Sequence, residues 1–165
     1  MNENTERVKA YLDQFGYGVR VHEFEPGATA TVPLAAAAIG CEEAQIAKSM
    51  SFKTPEDGAL IIVTAGDGKV NSGMFKRQFG FKASMLKDDD VLRLTGHPIG
   101  GVCPFALPED VPVYLDVSMQ RFDVIYPACG SPASMVTLTP SELETSSHAK
   151  GWVDVCKGWR EEEEA

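Results

Sequence analysis

The sequence predicts an α+β domain: a mixed, mostly antiparallel sheet, partly closed as a barrel, with flanking helices. Three observations lead there. Capped helical segments sit toward both ends of the chain. The middle is a succession of short apolar runs separated by Gly and Pro. And 165 residues, 44% hydrophobic and 24% charged, suit one globular domain that buries its own core. Residues 1–158 are assigned to that domain and 159–165 to an acidic tail.

"NTERVKAYLDQFG" reads as the first helix, with Val8, Leu12 and Phe15 on one stripe and Gly16 as terminator. "VRVHEF" (19–24) alternates as a strand that leaves His22 on the surface. "TVPLAAAAIG" is a helix with Thr31 as N-cap, Pro33 in the first turn and Gly40 as its stop. "EEAQIA" is a short helical turn into the strand "IAKSMSFK", and "ALIIVTAG" (59–66) is a strand buried on both faces. A hairpin turn is expected through Gly66-Asp67-Gly68. Helices follow near 71–79 and in "DDDVLRLTG", whose acids suit a helix N-terminus. "GGVCPFAL", "VPVYLDVS", "FDVIYPAC" and "SMVTLT" read as strands. "TPSELETSS" is a helix with a Thr139–Glu142 capping box, and "WVDVC" a closing strand.

In "IAKSMSFK" (46–53), Lys48 has the strand parity of Ile46, Met50 and Phe52. An ammonium aimed with three apolar side chains either snorkels along them or serves a pocket.

The net charge of −9 argues against a nucleic-acid partner only in sum. Four of the negative charges are Glu161 to Glu164, read as a solvated, disordered end. The stretch 68–87, in contrast, holds Lys69, Lys76, Arg77, Lys82 and Lys87 and no acid. It is either a solvated face or a phosphate-contacting patch. The scattered cysteines Cys41, Cys103, Cys129 and Cys156 form no metal knuckle, so no metal site is expected and they read as reduced core thiols. No apolar run is long enough to span a bilayer, and the polar N-terminus lacks signal-peptide character, so a cytoplasmic protein is expected.

"TAGDGKVNSG" lacks the spacing of a phosphate-binding P-loop, and "CGSPA" lacks the second glycine of a nucleophile elbow. Nothing in the sequence places His97 or His148 beside a Ser or Cys nucleophile. Three pieces remain: Lys48, the loop "TGHPIGGVCPF" with Gly96, Gly100, Gly101 and Pro104, and the turn "PACGSPAS". Glycine-rich loops let main-chain N–H groups approach a ligand. Taken singly, each loop reduces to an ordinary turn.

In order along the chain these pieces resemble the YbaK/EbsC (ProX-like) family, relatives of the editing domain inserted in bacterial prolyl-tRNA synthetases. "TATVPLAAAAIGCEEAQIAKSMSFK" is similar to the family's helix, turn and lysine-bearing strand, the lysine here being Lys48. "LRLTGHPIGGVCPFAL" resembles its Gly-Gly-x-x-Pro loop, and "VPVYLDVSMQRFDVIYPACGSPASMVTLTPSEL" its Asp-bearing strand and glycine turn. The resemblance covers over two thirds of the chain and implies the family's editing-domain fold.

The resemblance also implies a trans-editing aminoacyl-tRNA deacylase that hydrolyses the ester of a mischarged tRNA, tRNA(Pro) or another carrying a small amino acid. It needs no cofactor and works through positioned water and groups of the substrate. Lys48 would hold the ester carbonyl or terminal phosphate, and N–H groups of Gly100 and Gly101 the developing oxyanion. Thr31, Pro104, Asp116, Gly130 and Ser131 would bind substrate; Lys69, Lys76, Arg77 and Lys82 would face the tRNA. Mischarged tRNA is then the partner, an aminoacyl-tRNA synthetase a further one, with no membrane or DNA. The chain departs from the cysteinyl-tRNA(Pro) deacylases of this family: Gly130-Ser131-Pro132 replaces a Gly-Lys-Arg-like run, and His97 and Cys103 are unexpected, which leaves the edited amino acid open. Two rival readings are a non-catalytic, regulatory tRNA-end or nucleotide-binding module and a small-molecule hydrolase using Ser131 or Cys129.

Overall fold

The computed structural model describes residues 2–161; of the acidic tail expected over 159–165, residues 162–165 lie outside the described residues. Helix α1 (Glu3–Asp13) starts at Asn2, whose side chain accepts from the Asn4 and Thr5 N–H groups. It buries Val8 and Leu12, while Phe15 lies past its end. A 3₁₀ turn takes residues 18–20, which shortens the strand expected over 19–24 to β1 (Val21–Glu23). Helix α2 (Val32–Ile39) is capped as expected: Thr31 Oγ1 accepts from Leu34 N–H, and Gly40 closes it in the left-handed conformation.

Strands β2 (Ile46–Lys53) and β3 (Ala59–Thr64) form the longest ladder, antiparallel, with Lys48 opposite Thr64. All six residues of β3 are buried. Then come β4 (Lys69–Val70), α3 (Ser72–Phe79), α4 (Asp88–Thr95), β5 (Val113–Asp116), β6 (Tyr126–Pro127), β7 (Ser134–Val136), α5 (Pro140–Ser146), β8 (Gly151–Val153) and β9 (Cys156–Lys157).

The central sheet runs β6-β2-β3-β5-β8. It is mixed: β2–β3 is antiparallel, whereas β6, β5 and β8 join in parallel. Further antiparallel pairing comes from the small sheets β1–β7 and β4–β9. Antiparallel bridges Ile125↔Leu138 and Ala128↔Met135 carry the sheet from β6 into β7 and so toward β1.

Three expectations are corrected. "GGVCPFAL" is a loop, because Gly101 N–H turns back to the Pro98 carbonyl and the Phe105 carbonyl is taken by a histidine ring, leaving no ladder to join. Cys103 and Phe105 are nonetheless fully buried, so the apolar run anchors a loop in the core. The turn at 66–68 is real, with Gly68 N–H donating to the Ala65 carbonyl, but it is no hairpin: β4 pairs with β9. And "WVDVC" breaks into β8 and β9, because Val155 N–H turns to the Asp116 carboxylate and its carbonyl accepts from Asn71. Beyond the expected domain limit at 158, the Trp159 ring packs on the second apolar cluster.

Side-chain alternation along β2 feeds three clusters. Ala47 joins the main core beneath α1, α4 and α5. Phe52, with Met50 against it, faces Phe75 of α3, and Ile46 meets Ala35 and Ala36 of α2. Lys48 shares the parity of Ile46, Met50 and Phe52, and stands at the seam where the α2 cluster gives way to the α3 cluster.

Candidate active site

That seam explains how an ammonium is tolerated on an apolar parity. Lys48 is half-buried, and its Nζ donates to the Gly68 carbonyl at 2.8 Å. Burial pushes its pKa down, Cys156 and Asp67 push it back up, and neighbouring Lys69 pushes it down again. The receiving turn is rigid. Ala65 N–H donates to Ser118 Oγ at 3.2 Å, and a Cβ on Gly66 would stand 2.0 Å from the Glu43 carbonyl oxygen. Asp67 is held by Arg121 through a two-pronged contact at 2.6 and 3.0 Å, which leaves the neutral Gly68 carbonyl as the hydrogen-bonding partner of Lys48.

Asp116, expected to bind substrate, is fully buried at the end of β5. One carboxylate oxygen accepts from Ser118 N–H at 3.0 Å and the other from Val155 N–H at 2.9 Å. One oxygen thus holds the turn that follows β5 and the other the backbone that joins β8 to β9, so both are engaged by the main chain. The Cys156 thiol beside it is pushed up, first by burial and then by the Asp116 charge, while Lys48 pulls it down.

The two glycine turns are brought together. A Cβ on Gly101 would meet the Gly130 carbonyl oxygen at 2.6 Å, and one on Gly100 would touch Pro132 at 3.8 Å. Gly100 and Gly130 have φ of +84° and +92°, a conformation side chains resist. Gly101 N–H is spent on the Pro98 carbonyl at 2.9 Å, so it is not the oxyanion donor expected of it. Pro104 is buried and lines a separate cavity behind the loop.

What pins these turns is not legible in the sequence. Asn4 Nδ2 donates to the Gly130 carbonyl at 2.8 Å and to His97 Nδ1 at 3.0 Å. Arg7 donates to the Gly96 and Ala106 carbonyls, each at 3.0 Å, and reaches His97 Nδ1 at 3.1 Å. With two donors on Nδ1, His97 carries its proton on Nε2, which meets the Phe105 carbonyl at 2.7 Å. Burial lowers the His97 pKa, the Phe105 contact raises it and Arg7 lowers it, in that order. This unexpected histidine is a pin between α1 and the loop. The links span about 90 to 126 residues, beyond any local pattern.

Ser131 is buried and its Oγ lies 2.9 Å from Ser134 Oγ. Ser131 and Pro132 line a cavity of about 410 Å³ with Thr5, Glu23 and Phe24. Thr31 acts as the α2 cap, while nearby Thr29 Oγ1 donates to the Pro132 carbonyl, tying the approach to α2 to the glycine turn. In the parallel register, Ala47 lies opposite Pro127, so the chain climbs from the level of Lys48 into the Gly130 turn within three residues.

The nucleophile reading fails on placement. Burial pushes the Cys103 thiol up to about 12 and Cys129 well above its usual value. His97 is committed to α1 and Phe105, Ser131 faces a second serine, and His148 packs on the rings of Tyr11 and Phe15. Among the described residues no group of three or more His, Cys, Asp or Glu side chains is arranged to hold a metal. Nor is any helix long and apolar enough to cross a membrane.

Lys69, Lys76, Arg77 and Lys82 are all exposed, the second and third in the last turn of α3. The fold adds a cation that the linear stretch did not contain: Lys157 on β9 stands directly opposite Lys69 on β4. Like charges directly opposite on a ladder repel, so an anion is favoured beside them.

The sequence model of the aminoacyl-tRNA editing domain matches residues 26–145. The chain is 49% identical to the uncharacterized protein YwhH of Bacillus subtilis (strain 168), over 92% of this chain and 96% of that one. Its fold superposes with a TM-score of 0.86 and 31% identity on a crystal structure described as "a putative trans-editing enzyme for prolyl tRNA synthetase", covering 96% of this chain and 99% of the other. The crystal structure of the hypothetical protein APE2540 follows at a TM-score of 0.79 and 27% identity, over 92% and 99%.

Proposed function

Because the chain belongs to the aminoacyl-tRNA editing domain family, we propose that it is a free-standing deacylase that cleaves the ester of a mischarged tRNA. Water adds to the ester carbonyl carbon, the ribose oxygen leaves with a proton, and free amino acid and tRNA separate. The observation that carries this reading is Lys48: a half-buried ammonium whose hydrogen bond goes to a neutral carbonyl, beside the exposed cations Lys69 and Lys157. Exchanging that carbonyl for a phosphate or a developing oxyanion turns a disfavoured charge into a favoured one.

The rest of the apparatus positions the ester. Gly100 N–H is the main-chain donor offered to the carbonyl, an effect commonly worth ~3 kcal/mol per donor. The turn Gly130-Ser131-Pro132 bounds the aminoacyl side chain, which favours a small amino acid. The neighbour described as acting for prolyl tRNA synthetase makes tRNA(Pro) the first substrate to try. Since an aminoacyl ester is already activated, orientation and electrostatics suffice without a covalent intermediate.

The test is a deacylation assay on a panel of tRNAs carrying Cys, Ala, Ser or Pro, with wild type and Lys48→Ala. Release of one or more amino acids by wild type, reduced at least 100-fold in the variant, supports the reading. Binding of charged tRNA without release would make the chain a recognition module instead.

A further inference from the structure

A second cavity, also of about 410 Å³, opens between α1, the loop that follows Pro104 and the end of α5. Neither Lys48 nor either glycine turn lines it. Tyr11, Ser147, His148 and Lys150, all on its lining, lie outside residues 26–145 that match the editing family. Three features set it apart from a packing defect. Its apolar wall of Pro104, Val111 and Val113 is buried, while Glu109 and Lys150 are exposed and bring opposite charges to it. Ala106, at φ +54°, holds the left-handed backbone that side chains resist and lines the cavity; His148, at +53°, also lines it, but as the residue that closes α5, with its own N–H on the Thr145 carbonyl and that of Ala149 on the Glu144 carbonyl. A left-handed non-glycine residue such as Ala106 is found preferentially at ligand-binding and active sites. Finally, Ser147 is only 5% exposed, and its Oγ has no hydrogen-bond partner among the described residues. Buried hydroxyls in folded proteins are nearly always satisfied, and this one, enclosed by its neighbours, reaches a polar ligand atom by turning about χ1 into the cavity.

We propose that this cavity binds a small zwitterion of the amino-acid class. The carboxylate faces Lys150, the ammonium faces Glu109 and the side chain lies on the Pro104–Val111–Val113 wall. An anion alone would be opposed by Glu109, a cation alone by Lys150, and a wholly apolar molecule would leave Ser147 unmet. The volume falls in the range of small-molecule sites and has room for a branched or aromatic side chain. The site stands on its own geometry and does not depend on deacylation.

Ligand-observed NMR and calorimetry on the full chain, with each of the twenty standard amino acids, test it. At least one is expected to bind saturably. Glu109→Gln and Lys150→Met should each weaken that binding at least tenfold, and Lys48→Ala should leave it within twofold. Both cavity substitutions fall on exposed residues, so the fold is retained, and circular dichroism verifies it. Failure of all twenty to bind, binding that survives either cavity substitution, or binding lost with Lys48→Ala overturns the proposal.

Discussion

A side chain at Gly101 would place its Cβ 2.6 Å from the Gly130 carbonyl oxygen, the same oxygen that accepts from Asn4 at 2.8 Å. Two loops 29 residues apart therefore touch backbone to backbone, with the first helix holding them in register. No flexible side chain is available to give way, so the contact tolerates only hydrogen at that position.

Gly101→Ala must push the loops apart. We expect a loss of about 1–3 kcal/mol in urea unfolding, in the range of overpacking changes, and a fall in deacylation of tenfold or more. A variant as active and as stable as wild type would show that the contact is slack.

Lys48→Met should separate chemistry from stability. Burial sets the folded-state pKa of Lys48 below its usual 10.5. Between those two values the unfolded chain holds more protons, so wild-type stability rises with pH across that window. The methionine variant should lack this rise, keep a melting temperature within a few degrees of wild type, and lose activity. Parallel stability profiles for the two proteins would contradict the burial of the charge.

His97 follows the same sign at lower pH. Its folded-state pKa lies below the usual 6.5, so the neutral ring contributes stability above about pH 6.5 that is lost as pH falls toward the folded value. Protonation would put a cation against Arg7 and remove the acceptor used by Asn4. Thermal melts between pH 5 and 7.5 should show this slope in wild type and a flatter one in His97→Gln.

Asp116→Asn leaves one acceptor oxygen where two backbone N–H groups need one each. An unmet buried donor costs about 1–3 kcal/mol. Chemical denaturation should register that loss, and hydrogen exchange should speed up at Val155 or Ser118. Unchanged protection at both would return Asp116 to the substrate.

For tRNA, the salt dependence of binding discriminates between faces. Lys69→Gln with Lys157→Gln should reduce the slope of log K against log salt by about 0.7–0.9 for each phosphate that is no longer neutralised. Lys76→Gln with Arg77→Gln does the same only if the end of α3 meets the nucleic acid. A slope unmoved by either pair would leave these cations as solvated surface.

Local chemistry was enough for much of this protein. The Thr31 and Thr139 caps, the left-handed stops at Gly40 and Gly96, and the period-two strand carrying Lys48 each depend on residues within a few positions of one another. Those are short-range hydrogen bonds and side-chain alternation, which the order of residues alone specifies. Contacts between distant segments were another matter. That Asp116 is consumed by the backbone, that β4 pairs with β9 and so sets Lys157 beside Lys69, and that Asn4, Arg7 and His97 bind the glycine turns all depend on which chain segments the core brings together. A buried polar group takes whatever partner packing delivers, so its role, structural or functional, was decided only by the tertiary fold.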